Sequence, residues 1–338
     1  MRSDSPTIAM GMIVRNEEHD IVECLNTFLP SVDYVSIVDT GSTDKTLQVA
    51  KALLDGSGVK YRLDSFHDAS DSEGRLCDFS RARNEYVRLI EASGCEYLMS
   101  VDADDTLVTP NIKKALRKTP ADFYGIRYRM NDSMFFNSYK IWRNGLGTRY
   151  QGRVHECLAV DWTKKIAEIP VEFLHRYTSN PLQESGTDRN MRILKSEIYA
   201  PLRSLFYWAN ENVDAKNYHE AVKWYVEYIR RVNAGEATWE IELAHCYFRA
   251  ARWTAYLGKV DQAIDLSLEL VKRDPSWSES WCELSHLAYC KGEYQKSLEY
   301  AVKARANKFT PRLFSEIDKY TNTADFLIKQ AQDKLGAI

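Results

Sequence analysis

No hydrophobic run in this 338-residue sequence approaches the roughly 20 residues that a membrane-spanning helix needs. The first six residues (MRSDSP) contain no apolar signal region. The seven cysteines are odd in number, and none of them forms the paired short spacings of a zinc site. These absences exclude a transmembrane helix and a cysteine-rich zinc module. They predict a soluble, cytoplasmic protein with reduced, mostly buried thiols.

An excess of charge of one sign is also missing. The chain has 45 basic and 48 acidic residues and a formal net charge of -3, so nothing draws the whole protein to nucleic acid or to an anionic membrane. A local basic patch stays possible. With 44% hydrophobic and 12% aromatic residues, the composition is typical of a globular protein. A chain of this length exceeds one comfortable hydrophobic core, which predicts two domains.

The first hundred residues alternate short β-branched apolar runs with amphipathic segments, which predicts a parallel α/β sheet covered by helices. The predicted strands are residues 7–14, 34–39, 59–63 and 97–101. Candidate strands at 124–130 and 139–142 extend this domain, and we place its end at residue 180. Ligands of open α/β sheets bind beyond the carboxyl ends of the strands. The polar segments that follow the strands are therefore the candidate site.

The second predicted domain, residues 181–338, is helical and begins after a polar, proline-containing stretch. Gly258 and Ala263 recur as Gly292 and Ser297 at a spacing of 34 residues, a period that resembles the tetratricopeptide repeat. An earlier, looser copy brings the number to about three. Small residues at these positions let two antiparallel helices approach closely. The alternative to a repeat array is a generic helical bundle. Either architecture makes this half a scaffold.

Asp102, Asp104 and Asp105 follow the predicted strand at 97–101. Carboxylates at the mouth of a buried strand favour a hard divalent cation such as Mg²⁺ or Mn²⁺, which can bridge the phosphates of a nucleotide diphosphate. The alternative is that Asp104 and Asp105 only cap the next turn.

The second strand ends in a turn, residues 39–44, in which Gly41 permits a tight bend. Asp39 could accept hydrogen bonds from a base or a ribose there, although a helix beginning near Thr43 and capped by Ser42 or Thr43 explains the turn without a ligand.

Arg15 ends the first strand, and Arg83 lies in the helix that precedes the fourth. Either arginine could meet a pyrophosphate, and Ser80 is the predicted cap of its own helix.

Taken together, five segments resemble glycosyltransferase family 2 enzymes of the GT-A fold, in order and in spacing. They are IAMGMIVRNEE (8–18), VSIVDTGSTDKT (35–46), DFSRARN (78–84), YLMSVDADD (97–105) and GRVHECL (152–158). With the trailing repeats, the chain is similar to the branch that includes bacteriocin S-glycosyltransferases. The resemblance implies a Rossmann-like nucleotide-sugar domain, a UDP-hexose as the first donor to test, and Mn²⁺ or Mg²⁺ as cofactor.

The resemblance also implies roles for individual residues. Asp39 would contact the base, Asp102 and Asp104 would form the Asp-X-Asp pair, and both would serve the metal, with Asp104 as the coordinating residue. The implied donor-binding residues are Val14, Arg15, Asn16, Glu17, Asp39, Gly41, Ser42, Arg83, Asn84, Asp102 and Ala103.

His155 and Glu156 follow the acidic motif by about fifty residues. We predict His155 as the third metal ligand, with a structural role as the alternative. Asp104 and Glu156 are the predicted catalytic residues, and Glu156 would be the base of an inverting transfer. A thiol acceptor would need less help from a base, because thiols ionise more readily than sugar hydroxyls. Glu156 would then be a structural partner.

The acceptor is left open by the sequence. Repeat arrays bind extended peptides, which favours a peptide or protein. The alternatives are a hydroxylated DNA base, a glycan or lipid-linked acceptor, and a non-catalytic adaptor. A DNA acceptor would use a basic patch, for which the candidates are Lys113, Lys114, Arg117 and Lys118.

Two further features keep alternatives open. Residues 66–77 form an extra segment that could be a lid or a surface insertion. Trp224, Tyr225 and Tyr228 could line a groove or a dimer interface, but their helical spacing favours the core of the repeats. The oligomeric state is open.

Overall fold

A computed structural model of the chain describes residues 5–131, 135–176, 184–196, 201–309 and 317–336. The chain divides into two compact units, Met1–Ser185 and Gly186–Ile338. The boundary predicted at residue 180 lies outside the described residues.

The first unit is built on an eight-stranded sheet with the order β3-β2-β1-β4-β7-β6-β10-β5. Its strands are β1 (Ile8–Val14), β2 (Tyr34–Asp39), β3 (Lys60–Ser65), β4 (Tyr97–Ser100), β5 (Asp105–Leu107), β6 (Phe123–Arg129), β7 (Phe135–Arg143) and β10 (Ile166–His175), and a separate hairpin pairs β8 (Tyr150–Gln151) with β9 (Cys157–Leu158). The four strands predicted from the first hundred residues are confirmed, and they pair in parallel. Strand β7 runs antiparallel to both of its neighbours, β4 and β6.

Helices cover both faces of the parallel part of this sheet, which is why β1 (IAMGMIV) is apolar along its whole length. The helices are α1 (Asp20–Phe28), α2 (Thr46–Ser57), α3 (Phe79–Glu91) and α4 (Ile112–Lys118). Met10 and Met12 of β1 join the core that includes residues of α1, α2 and α4, whereas Ala9 joins the core that includes Tyr86 of α3. A Cβ at Gly11 would lie 2.2 Å from the ring of Tyr86. Glycine at this position therefore lets α3 pack directly on the middle of β1.

Helix α3 begins with a different cap from the one predicted. The side chain of Asp78 accepts a hydrogen bond from Arg81 N at 2.9 Å, and Ser80 Oγ donates to the same carboxylate. The predicted Ser80 cap is wrong because the carboxylate of Asp78 can serve both donors. Helix α2 begins at Thr46, three residues beyond the predicted start.

The segment at 66–77 is a packed surface turn. Ser70 and Leu76 form an antiparallel bridge, and buried Ala69 and Leu76 share a small core with Ala82 of α3. Arg15 Nη1 donates to the carbonyl of Gly74 at 2.9 Å. These contacts favour the surface insertion over the lid.

The second unit contains only helices within its described residues. They are α5 (Gly186–Lys195), α6 (Leu202–Asp214), α7 (Tyr218–Asn233), α8 (Glu240–Tyr256), α9 (Val260–Arg273), α10 (Ser278–Cys290), α11 (Tyr294–Ala306) and α12 (Asn322–Leu335), with a short 3-10 turn at Ile317–Tyr320. None of the described helices is long and apolar enough to cross a membrane. Among the cysteines, all of which are free, four are buried.

The 34-residue period is visible in the helix starts, because α9 begins at Val260 and α11 at Tyr294. Gly258 and Gly292 precede them with φ values of 80° and 77°, a left-handed conformation that costs glycine little. The side chains of Ala263 and Ser297 are fully buried, so the predicted close approach of paired helices is confirmed.

Aromatic residues fill the core of the looser first copy. Tyr225 and Tyr228 of α7 are fully buried, and Trp224 packs against the same core. The prediction that these residues belong to the repeat core is confirmed.

Candidate active site

The acidic segment forms a closed turn between β4 and β5. Asp105 N donates to the carbonyl of Asp102, and Asp102 N donates to Asp105 Oδ2, both at 3.0 Å. Asp105 has no exposed surface, whereas 29% of the Asp104 side chain is exposed. The turn therefore buries one carboxylate and presents another.

Strand β10 brings His175 to this turn, because β10 pairs antiparallel with β5 in a register that sets His175 opposite Asp105. His175 Nδ1 lies 3.3 Å from Asp104 Oδ1 and 3.5 Å from Asp105 Oδ1. Tyr128 OH donates to Asp105 Oδ1 at 2.5 Å and lies 3.2 Å from His175 Nδ1. The imidazole is thus held between two carboxylates and a phenol.

The pKa values of this cluster are displaced. Burial alone would lower the pKa of His175, but hydrogen bonds to Asp104 and Asp105 outweigh it and raise the pKa to about 10. Burial raises the pKa of Asp104, and repulsion from Asp102 and Asp105 adds to it against the hydrogen bond from His175. Carboxylates gathered in a buried place in this way favour a cation beside them.

Asp104, Asp105 and His175 each offer one ligand atom, and the three atoms lie within 4.8 Å of one another. Two carboxylates with one imidazole suit a divalent ion such as Mn²⁺ or Mg²⁺. Asp104 is the one member of the predicted metal set, Asp102, Asp104 and His155, that belongs to this group.

Both carboxylate oxygens of Asp102 are paired with cationic side chains. Arg83 Nη2 lies 2.7 Å from its Oδ1, and Lys140 Nζ lies 2.6 Å from its Oδ2. Burial would raise the pKa of Asp102, but Arg83 and Lys140 outweigh it and hold the pKa far below its usual range. Because both oxygens are paired with cations, the geometry does not support Asp102 as a metal ligand. We revise the candidate set from Asp102, Asp104 and His155 to Asp104, Asp105 and His175.

Glu156 also forms an ion pair with Arg83. Arg83 Nε donates to Glu156 Oε1 at 2.5 Å, while Oε2 receives no hydrogen bond from any residue that the structure describes. The hairpin that carries Glu156 is tied to α3 by Asn84, whose side chain accepts from Tyr150 N at 2.8 Å and donates to Tyr150 O at 3.0 Å. The fold therefore brings the predicted residues Arg83, Asn84, Asp102 and Glu156 together.

His155 has a backbone feature of its own. It is half-buried with φ 51°, and Gly152 in the same turn has φ 94°. Both residues adopt left-handed conformations, which non-glycine residues rarely do, so the turn between β8 and β9 depends on them. His155 does not join the Asp104 cluster.

The predicted base-binding turn is closed by its own side chains. Asp39 accepts hydrogen bonds from the N–H groups of Gly41 and Ser42, each at 3.1 Å. Asn16, at φ 56°, accepts from Thr43 N at 2.7 Å and donates its own N–H to Ser42 Oγ at 3.0 Å. These hydrogen bonds link the ends of β1 and β2. Ser42 serves Asn16 here and does not cap α2.

The remaining predicted donor-binding residues flank these two turns. The carbonyl of buried Val14 accepts from Thr40 N at 3.0 Å, and Glu17 N donates to Thr46 Oγ1 at 2.7 Å. Ala103 is 5% exposed between the acidic residues. These residues therefore fix the edge of the sheet at which the candidate site lies.

Residues 10–160 match the family model described as Glycosyl transferase family 2. This part of the chain is a family 2 glycosyltransferase domain. It contains the two strand-end turns and the hairpin of Glu156, whereas His175 lies beyond the matched residues.

Similar proteins are known for both parts of the chain. The SPbeta prophage-derived glycosyltransferase SunS of Bacillus subtilis (strain 168) is 27% identical over 163 residues, which cover 46% of this chain and 35% of that protein. The TPR repeat-containing protein Synpcc7942_0270 of Synechococcus elongatus (strain ATCC 33912 / PCC 7942 / FACHB-805) is 25% identical over 201 residues, covering 55% of this chain and 46% of that protein. The chain thus spans less than half the length of the curated relatives it matches.

Among solved structures, the TPR2B domain of yeast Sti1 in its pHsp70 complex aligns with 20% identity and a TM-score of 0.31. The alignment covers 39% of this chain and 97% of that one.

Three residues of the glycosyltransferase domain's site escaped the sequence prediction: Tyr128, Lys140 and His175. Each belongs to a strand outside the first hundred residues. His175 closes β10, a strand that is not among those predicted from the sequence, although its position at a strand end fits the rule for ligand sites of α/β sheets. Lys140 lies in its strand, FFNSYKIWR, directly before the buried pair Ile141 and Trp142.

Proposed function

We propose that the protein transfers a sugar from a nucleotide-sugar donor to a peptide or protein acceptor, with inversion at the anomeric carbon. The proposed donor is a UDP-hexose. One observation carries this proposal. In a family 2 glycosyltransferase domain, the group formed by Asp104, Asp105 and His175 lies next to a second group, in which Arg83 forms ion pairs with both Asp102 and Glu156.

Asp104, Asp105 and His175 would together hold the metal ion, and two of them, Asp104 and His175, are partly exposed. Mn²⁺ or Mg²⁺ bound there would stabilise the charge on the departing nucleotide diphosphate. Tyr128 donates to Asp105 and keeps that carboxylate in place.

Glu156 is the proposed base. Arg83 fixes one oxygen of the carboxylate, and the other is open to an acceptor. As the acceptor's nucleophilic atom attacks the anomeric carbon, its proton passes to Glu156 and the bond from that carbon to the diphosphate oxygen breaks. The acceptor and the leaving group lie on opposite faces of the sugar, which accounts for inversion.

Donor binding is proposed for the edge formed by the turns after β1 and β2. Asp39 uses its oxygens for two backbone N–H groups, but a carboxylate has about four lone-pair sites. It can therefore still accept a hydrogen bond from a base. Arg15, held at Gly74, lies beside the same turn.

A peptide or protein is the proposed acceptor, because helical repeats bind extended peptides and the chain resembles the branch that modifies peptide cysteines. The patch proposed for DNA has no such support. Lys113 is paired with Asp33 at 2.8 Å, and Lys114, Arg117 and Lys118 lie on an exposed helix face, as solvated charges usually do.

The test is the release of nucleotide diphosphate from UDP-, GDP- and TDP-sugars, each with Mn²⁺, Mg²⁺ or a chelator. We expect metal-dependent release from one donor, since many transferases slowly pass their sugar to water. Once an acceptor is found, Glu156→Gln should bind the donor normally and lower kcat of transfer by about 100-fold or more, with a smaller effect if the acceptor is a thiol. No release from any donor, together with no nucleotide binding in calorimetry, would contradict the proposal and favour the adaptor.

A further inference from the structure

Lys140 places a third positive group inside the acidic cluster. It lies on β7, and only 12% of its side chain is exposed. Its Nζ is 2.6 Å from Asp102 Oδ2, 3.2 Å from Asp105 Oδ2 and 4.5 Å from the centre of the Tyr128 ring. One ammonium group thus links the carboxylate that pairs with Arg83 to the carboxylate that orients His175.

The position of the lysine is set by the sheet and not by a flexible loop. Strand β7 pairs with β4 through Ile141 and Met99, one residue from Lys140. The same strand pairs with β6, which carries Tyr128. At Lys140 itself the pairing with β6 is irregular, because Tyr124 pairs with Ile141 and Gly125 pairs with Tyr139. The lysine is thus the extra residue of a β-bulge held by paired residues on either side, and bulges often re-aim a side chain next to an active site.

A series of ion pairs connects Lys140 with the proposed base, Glu156. Lys140 and Arg83 each take one oxygen of Asp102, and Arg83 also holds Glu156. A buried carboxylate that loses one of its partners must find another or move, because an unpaired buried charge is costly. Loss of the ammonium group should therefore disturb Asp102, then Arg83, and finally Glu156.

The same ammonium group opposes a second cation. It lies beside Asp105, a member of the group with metal-ligand spacing. Two positive charges at short range in a poorly solvated place repel each other. Removal of the lysine charge should therefore favour binding of a divalent ion, while the arrangement of Asp102 and Arg83 becomes worse.

We propose that Lys140 is a positioning residue that holds Asp102 and Arg83 in line for Glu156 and, by its charge, weakens the affinity of the Asp104, Asp105 and His175 group for a divalent cation. This inference rests on the proposed function, since it concerns the same site. It assigns to one residue two effects with opposite signs: better alignment of the base and weaker binding of the ion.

The experiment compares Lys140→Met with the wild-type full-length chain. In calorimetry with Mn²⁺ alone, the variant should bind about 10-fold more tightly, while kcat for donor hydrolysis falls by about 10- to 100-fold and KM for the donor changes little. Lys140→Arg keeps the charge and should restore most of kcat and the weaker Mn²⁺ binding. Lys113→Met is the matched control, because Lys113 pairs with Asp33 outside the cluster, and both measurements should stay at wild-type values.

Should Lys140→Met fail to fold, Lys140→Gln, which can still hydrogen-bond to Asp102 but has no charge, should give the same opposed changes. Unchanged Mn²⁺ affinity and kcat in a folded variant would overturn the inference. So would a joint loss of Mn²⁺ affinity and activity, which is the result of a purely structural lysine. If the wild type itself neither binds Mn²⁺ nor turns over any donor, it is the proposed function that fails.

Discussion

Two strand-end turns at one edge of the same sheet are built in different ways. The turn after β2 is closed by neutral hydrogen bonds and by carboxylate-to-amide contacts between the ends of two adjacent strands, as in the pairing of Asn16 with Thr43. The turn after β4 is surrounded by charged side chains from three other elements: Arg83 from α3, Lys140 from β7 and His175 from β10.

The difference separates two kinds of requirement. A turn that satisfies its own polar groups keeps a shape, which suits the recognition of a ligand by its edges. A turn whose carboxylates depend on distant cations keeps a charge distribution that responds when one charge is added or removed. If this contrast is correct, substitutions in the first turn should affect folding most, and substitutions in the second should affect chemistry most.

The largest effect is expected for Asp104→Asn. The amide keeps the size of the side chain but removes the charge, so metal-dependent release of nucleotide diphosphate should fall by at least about 100-fold. The midpoint of thermal unfolding should change little, because Asp104 is partly exposed. Asp55→Asn, at an exposed carboxylate on α2, is the control and should keep full activity. Full release of nucleotide diphosphate by Asp104→Asn in the presence of a chelator would show that the turn after β4 takes no part in the reaction.

A moderate effect on stability is expected for Asn16→Ala. The change leaves Thr43 N without its 2.7 Å hydrogen bond and keeps an L-residue at φ 56°. The free energy of unfolding in urea should fall by about 1–3 kcal/mol, and kcat of the folded variant should stay within about threefold of wild type. Asn16→Gly loses the same side chain but adopts this conformation freely, so it should be less destabilised. An Asn16→Ala protein as stable as wild type would contradict the contrast between the turns.

The smallest effect is a pH dependence. In the folded, metal-free protein, contacts with Asp104 and Asp105 raise the pKa of His175 from 6.5 to about 10 despite its burial. A raised pKa contributes stability that is complete below about pH 6.5 and is lost as the pH rises toward 10. With chelator present, the stability of wild type relative to His175→Asn should therefore decline between these pH values. A parallel pH course for both proteins would show that the histidine is not held by the carboxylates.

The same contrast explains what could be predicted from sequence. The α/β fold, the helical repeat and the segments at 15–18, 39–44 and 102–105 were accessible because apolar periodicity and turn residues are local signals. The partners of Asp102 were not all accessible, because Lys140 is 38 residues away and only sheet pairing brings it close. His155 was predicted as a ligand from its place in the segment GRVHECL, about fifty residues after the acidic motif. Sheet register instead sets His175 beside Asp105.

The side chain of Asn84 has a consequence for how this domain can change. Its amide pairs with the backbone of Tyr150, 66 residues away, through both N–H and C=O, much as a neighbouring strand would. Arg83 is its neighbour in α3, and Glu156 follows in the hairpin that begins at Tyr150. This amide therefore helps to set the spacing between arginine and base, which does not depend on the length of chain between them. Loops among the residues between Asn84 and Tyr150 can be lengthened, shortened or exchanged, by evolution or by an engineer, while the geometry at the base is kept.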